Sequence, residues 1–165
     1  MNGKITVVKA GQGDIPLVRA IADSVWPRVY RGLLSPEQIS YMMDMMYSSE
    51  VISKELSCGV EWYLLNCGNE TAGYLSIYFF DDVCKLDKIY IKEEFRRSGI
   101  GRTGIEFVKD AARKRGVKQL ILNVNKYNKS AQAAYFRYGF THLRDEVNDI
   151  GNGFVMDDFV LALDI

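Results

Sequence analysis

Apolar and polar positions follow two periods along this chain, and the switches between them outline a fold. Ile5-Thr6-Val7-Val8 is a short β-branched run that predicts a strand. Leu17, Ala20, Ile21, Ser24 and Val25 then recur at three- and four-residue spacing, which puts them on one helix face. Asp14 before Pro16 supplies a helix start, and Pro27 is expected to end or kink that helix near Trp26. Ser35-Pro36-Glu37-Gln38 starts a second helix, with Ser35 as cap and Gln38 completing a capping box. Ile39, Met42, Met43 and Met46 form its apolar stripe. A third helix is expected over Ser49 to Ser57. The period then shortens to that of strands. Glu61 to Asn66 and Thr71 to Phe80 read as a hairpin around the turn Cys67-Gly68-Asn69-Glu70. Cys84 to Ile91 follows the acidic turn Asp81-Asp82 as the next antiparallel strand.

Helical spacing returns to about Arg115, with Ile100, Gly104, Phe107, Val108 and Ala111 on one face and Gly116 as the stop. Gln119 to Asn123 is short and apolar, as a central strand would be. Asn128 caps a last helix bearing Ala131, Ala134, Tyr135 and Tyr138, which Gly139 ends. Strands are expected from Phe140 to about Val147 and from Phe154 to Ile165, around the turn Gly151-Asn152-Gly153. The order β–α–α–α–β–β–β–α–β–α–β–β, without linker or repeat, predicts a single α/β (α+β) domain over residues 1–165. Its sheet is mixed and helices cover both faces.

Composition narrows the function. Lys+Arg and Asp+Glu both count 21, so the formal net charge is zero. That balance argues against non-specific binding to nucleic acid or to an anionic membrane, and no basic-aromatic interleaving suggests otherwise. No run of 18 apolar residues and no long apolar N-terminal stretch occur, so a soluble cytoplasmic protein is expected. Cys58, Cys67 and Cys84 have no C-x-x-C spacing, which fits a reducing compartment and no metal site. The single histidine, His142, is expected to face solvent or the sheet edge.

The chemistry concentrates in Arg96-Arg97-Ser98-Gly99-Ile100-Gly101-Arg102, where a buried strand feeds a glycine-rich turn into a helix. Unpaired N–H groups and the helix dipole make such a start a phosphate site. Gly99 and Gly101 allow close backbone approach, while Arg96, Arg97 and Arg102 add charge. Neither G-x-x-x-x-G-K-[ST] nor G-x-G-x-x-G occurs, which excludes a P-loop and a dinucleotide fingerprint. The plainer reading is an ordinary basic turn. The methionine stripe likewise has two readings, a core face or an adaptable acceptor wall around Met42.

Three features stand in a fixed order: strand-(Arg96-x-x-Gly99-x-Gly101)-helix, a strand ending Asn123-Val124-Asn125, and Asn128-x-x-Ala131-x-x-x-Tyr135-x-x-x-Gly139-Phe140. Together they resemble the GNAT superfamily of acetyl-CoA-dependent N-acetyltransferases, over roughly residues 5 to 165. The segment from Trp26 through Tyr47, with Leu34 to Ile39 and Tyr41-Met42 inside it, and the run Met156 to Val160 resemble, more loosely, a bacterial branch that includes polyamine-type enzymes. The resemblance implies a mostly antiparallel sheet that splays between its fourth and fifth strands. It implies acetyl-CoA as donor, its pyrophosphate on the amides of Arg97 to Arg102 beside Arg96, and its pantetheine arm along Ile89, Tyr90 and Ile91. Asn128 would be a helix cap, a coenzyme contact, or partly both.

The implied reaction is direct transfer of acetyl to a primary amine. A backbone N–H near Ile91 would stabilise the oxyanion, and Tyr135 would protonate the departing thiolate. A phenol is neutral at pH 7 and near a thiol in acidity; otherwise Tyr135 is a core aromatic. Asp87, Glu93, Asp157 and Asp158 are open candidates for the base, and the last pair can equally bind a cationic substrate. A small amine is favoured because the segment from Trp26 to Ser57 can narrow the groove that a protein N-terminus or lysine would need. A coenzyme-binding sensor without catalysis is a third reading. A strand edge near the C-terminus can support a homodimer.

Overall fold

The computed structural model describes residues 3–165; Met1 and Asn2 of the expected domain lie outside the described residues. The helices are α1 (Ile15–Val29), α2 (Pro36–Tyr47), α3 (Ser49–Ser57), α4 (Ile100–Lys114) and α5 (Lys129–Arg137). The strands are β1 (Ile5–Lys9), β2 (Glu61–Cys67), β3 (Glu70–Phe80), β4 (Val83–Ile91), β5 (Gln119–Asn125), β6 (Thr141–Gly151) and β7 (Phe154–Asp164). Their chain order is the expected one, with β6 running past Val147 to Gly151.

Two local expectations fail for physical reasons, and a third, the helix start at Asp14 before Pro16, holds without a side-chain cap. Pro27 does not end α1, which continues to Val29. Proline removes one N–H near the end of the helix, and the Tyr30 N–H still closes on the Trp26 carbonyl at 3.0 Å. Asp14 makes no side-chain cap on α1; its carboxylate accepts from the Gly11 N–H at 2.8 Å across a preceding 3₁₀ turn. Ser35 does cap α2, accepting from the Gln38 N–H at 3.1 Å. Gln38 does not complete the box, because its amide donates to the Val155 carbonyl on β7 at 2.8 Å. A tertiary bond has displaced a local one.

One seven-stranded sheet runs β1-β2-β3-β4-β5-β7-β6. Every neighbouring pair is antiparallel except β4 with β5. Strand alternation sends side chains to two cores. Leu65, Leu75, Ile77, Leu86 and Leu122 pack against Ile100, Ile105 and Val108 of α4, with Ala131 and Tyr135 of α5 beside them. Trp62, Leu64 and Tyr74 pack on the other face against Val25 and Trp26 of α1, Met42 and Met43 of α2 and Ile52 of α3. The methionine stripe is thus a core face.

Two features of β4 break the regular ladder. Ser76 faces Lys88 while Ile77 faces Leu86, so Asp87 is an extra residue in β4. That bulge reverses the alternation. Leu86 belongs to the α4 side, and after the bulge Ile89 and Ile91 still do, while Tyr90 packs toward α1. Second, β4 pairs with β5 only from Val83↔Gln119 to Leu86↔Leu122. Beyond that the strands part, as the splay expected between the fourth and fifth strands requires.

Gly73 on β3 lets this part of β4 lie close. A Cβ there would meet the Tyr90 carbonyl oxygen at 2.2 Å and the Ile91 Cα at 3.0 Å. Gly73→Ala should cost about 1–3 kcal/mol, the usual range for overpacking. Urea unfolding would show this as a lowered midpoint.

Candidate active site

The parting of β4 from β5 leaves a cavity of about 380 Å³. This is large enough for part of an elongated ligand. The last residues of β4 wall one side and Leu122 to Asn125 of β5 the other. Asn128, Ala131, Ala134, Tyr135 and Tyr138 of α5 and its ends form a third wall, and Arg28, Val29 and Tyr30 line the α1 end. Past Leu86 the main chain of β4 has no strand partner on the β5 side, so its amide groups there are open to a ligand.

The loop between β4 and α4 stands at one mouth of this cavity. Arg97 and Gly99 both take left-handed backbone, φ 59° and 88°. For arginine that conformation costs about 1–2 kcal/mol. Gly99 is the residue before the first turn of α4 and offers no side-chain cap. Among the described residues, no protein acceptor meets the N–H groups of residues 97 to 102; the first bond of α4 is from Thr103 N–H to the Gly99 carbonyl, 2.9 Å. Arg97, Ser98 and Gly99 are exposed, and so is Arg102. Arg96 and Gly101 line the cavity itself, whereas the Ile100 side chain is buried in the α4 core. A row of outward amides among arginines can hold a diphosphate.

On the α5 wall, Asn128 divides its amide. Its Oδ1 caps the helix, accepting from the Ala131 N–H at 3.2 Å. Its nitrogen makes no bond to the described residues, and the side chain lines the cavity. Tyr135 also lines the cavity, with its ring edge-on to Phe140 at 5.8 Å. Burial pushes its phenol well above the usual tyrosine range. The hydroxyl is therefore a neutral donor, but a weaker acid than the near-thiol acidity expected from sequence. Loss of water around the phenolate is the cause.

The α1 end is aromatic and polar. The Tyr30 and Tyr90 hydroxyls share a hydrogen bond of 2.8 Å, and both residues line the cavity. Burial pushes the Tyr30 phenol up to about 12. Lys88 is 3% exposed. It pairs with Asp87 and, at 3.5 Å, with Glu55 of α3, and it lies 5.0 Å from the Trp62 ring centre. Trp62 in turn donates to Glu55 at 2.9 Å.

The structure therefore gathers Ile89, Tyr90, Ile91, Arg96, Gly101, Asn128 and Tyr135 on one cavity, with Arg97, Ser98, Gly99 and Arg102 at its mouth. Among the base candidates, Asp87 lines the cavity but is neutralised by Lys88. Glu93 is exposed and bound to Arg28 at 2.7 Å, outside the cavity wall. No methionine lines the cavity, so the acceptor-wall reading of Met42 fails: packing against α1 and the sheet already occupies that face. His142 is exposed on β6, bonded to Asp145 at 2.7 Å. Sequence reasoning missed Tyr30, Lys88 and Asn123. No three or more His, Cys, Asp or Glu side chains are placed to hold a metal among the described residues.

The family profile described as "Acetyltransferase (GNAT) family" matches residues 26–140. The chain belongs to that family and is an acetyltransferase of it, with acetyl-CoA as acyl donor. It is 23% identical over 159 residues to a spermidine N(1)-acetyltransferase of Thermoplasma acidophilum, covering 93% of this chain and 96% of that protein. It is 23% identical over 157 residues to an uncharacterized N-acetyltransferase in the pepI 3' region of Lactobacillus delbrueckii subsp. lactis, covering 90% and 91%. The fold is shared with the PaiA N-acetyltransferase of T. acidophilum, solved in complex with coenzyme A. There the TM-score is 0.83 at 20% identity, over 98% of this chain and 99% of that one. It is also shared with the ribosomal-protein-S18-alanine N-acetyltransferase of Escherichia coli, at TM-score 0.75 and 21% identity over 98% and 94%.

The divided role of Asn128 is separable. Asn128→Asp keeps the capping oxygen and replaces the free amide donor by an oxygen. Thermal unfolding should move by less than the change expected for losing a cap, about 1 kcal/mol. Calorimetric affinity for acetyl-CoA should fall about tenfold or more, as for a lost hydrogen bond with an unmatched partner.

Proposed function

We propose that this enzyme transfers acetyl from acetyl-CoA to the primary amine of a small molecule, with polyamines the first acceptors to test. The observation that carries the reading is the run of unpartnered amides at residues 97 to 102 with Tyr135 on the cavity that starts there. In this reading, those amides and the neighbouring arginines bind the diphosphate. The free edge of Ile89, Tyr90 and Ile91 pairs with the pantetheine arm. A backbone N–H near Ile91 faces the thioester oxygen, and Tyr135 donates its proton to the sulfur as it leaves. The acceptor enters from the α1 end, past Tyr30 and Tyr90. All of this lies within one domain acting in the cytoplasm, which the unpaired state of Cys58, Cys67 and Cys84 supports. No helix among the described residues is long and apolar enough to cross a membrane.

The coenzyme complex of the T. acidophilum PaiA protein supports the donor site, and the spermidine enzyme of the same organism supports the acceptor class. A protein N-terminus or lysine is the second reading, because the E. coli S18-alanine enzyme shares the fold. Arg28, Val29 and Tyr30 narrow the end by which the acceptor would enter, which favours a small amine over a peptide. A homodimer joined along β6 belongs to the same proposal: β6 is the open sheet edge, with Leu143 and Val147 exposed on it.

A panel of polyamines, aminoglycosides and alanyl peptides, assayed with acetyl-CoA, tests the acceptor. Turnover of peptides alone would overturn the small-amine reading. Coenzyme binding with no turnover of any amine would leave a non-catalytic sensor. Tyr135→Phe should lower kcat about 10²-fold, within the range for a general acid, with acetyl-CoA affinity nearly unchanged. An unchanged kcat in steady state would remove the phenol from the mechanism.

A further inference from the structure

The carboxylates around the acceptor end differ in whether their charge is already answered. Asp87 has Lys88, and Glu93 has Arg28. Glu146 accepts from Asn123 at 2.7 Å, Asn148 at 3.0 Å and Arg144 at 3.2 Å. Asp157 lies on the opposite face of β7 from its neighbour Asp158. Asp158 alone is both buried and underused. It is 5% exposed. Its Oδ2 receives only the Asn123 amide, at a long 3.4 Å. Its Oδ1 is shut off from solvent and has no hydrogen-bond partner among the described residues.

Its position ties it to the cavity. Asp158 stands opposite Asn125 in the β5–β7 ladder. Asn123 and Asn125 both line the cavity, and Asn123 joins Asp158 to Glu146 and Lys85. The groups that act on Asp158 are Lys85 of β4, Asn123 of β5, Glu146 of β6 and Tyr30 of α1, with the charge of Asp157 reaching it from the opposite face of β7. A buried carboxylate with an unmet oxygen is costly. Folds retain such groups where they handle protons. Burial holds the Asp158 carboxyl above the usual carboxylate range. The Asn123 bond and the Lys85 charge oppose this, and the Glu146 and Asp157 charges add to it.

We propose that Asp158, which stands behind the cavity wall at Asn123 and Asn125 and not in it, is the proton acceptor for the incoming amine and takes the proton through one water. This rests on the acetyltransferase reading. The ammonium gives one proton to Asp158 and becomes a nucleophile. The N–C bond forms and the C–S bond breaks. The nitrogen's second surplus proton restores the hydroxyl of Tyr135 after the phenol has protonated the sulfur, and Asp158 returns its own through the same water when the product leaves.

The test is kcat/KM against pH for Asp158→Asn, using acetyl-CoA with spermidine, or with the best amine of the panel if spermidine is not turned over. Asparagine keeps the size of the side chain and cannot take the proton. Activity at pH 7 should fall about 10²–10³-fold. The acid limb should lose its carboxyl inflection, and activity should recover as pH approaches the amine's own range. Asp158→Ala should regain part of its rate with added formate. Two readouts do not depend on turnover. Acetyl-CoA affinity should be retained. The melting temperature of Asp158→Asn should exceed that of the parent at neutral pH, and the gain should shrink as pH falls toward the ordinary carboxylate range, because a raised carboxyl loses stability as it ionises. Turnover that survives Asp158→Asn with its acid limb unmoved would overturn this inference alone. So would a parent carboxyl that titrates, by carbon-13 NMR, in the ordinary aspartate range. No turnover of any amine by the parent chain would overturn the acetyltransferase reading, and this inference with it.

Discussion

The site depends on the loss of pairing between β4 and β5 beyond Leu86↔Leu122. A parallel pair inside a sheet is ordinarily buried and continuous, and unpaired main-chain groups inside a protein are costly. Here β4 stays fixed to β3 through Gly73↔Ile91, and β5 stays fixed to β7 through Asn125↔Asp158. Neither strand can move back to the other without losing its outer partner. The gap is thus held open by the rest of the sheet. Its lining main-chain groups are held in place before any ligand arrives, which lowers the cost of binding one.

The bulge at Asp87 is the second element of the same design. An unbulged β4 would carry Lys88 to the α4 side, among Leu75, Ile77 and Leu122. With one extra residue, Lys88 instead meets Glu55 and Trp62, and Tyr90 meets Tyr30. The strand therefore presents its apolar side chains to one core and its polar ones to the acceptor end. Replacing one partner of the Lys88 cluster would leave a buried charge unmatched, which is why such clusters constrain the sequence strongly even when their net stabilisation is small.

Much of this was legible in the chain. The helix periodicity of Ile100 to Ala111 and the capping of Ser35 and Asn128 are local signals, and local geometry obeys them. The Arg96–Arg102 loop was legible because glycine spacing and a following helix suffice to orient amides. The sequence does not show Tyr30 meeting Tyr90, since sixty residues separate them and their contact depends on how α1 lies on the sheet. Gln38 misled because a tertiary contact outweighed a local preference, and Pro27 because a proline in the last turn removes one N–H without stopping the helix. A signal for the bulge did exist. Asp87-Lys88 places adjacent charges inside an apolar strand, where strict alternation would bury at least one of them without a partner.

The two proton-handling groups proposed here stand on different elements, and burial acts on them in opposite ways. For Tyr135, desolvation raises a phenol that must donate, which makes donation harder. For Asp158, desolvation raises a carboxyl that must accept, which makes acceptance easier. The gain on one side offsets the cost on the other only if both act within one closed cavity. There, the proton leaving nitrogen and the proton reaching sulfur belong to a single exchange. A solvent-open site would relax both shifts and forfeit the match. Arg28, Val29 and Tyr30 at the α1 end therefore bear on chemistry as much as on acceptor size, because an acceptor packed against them would keep water from levelling the acid and the base.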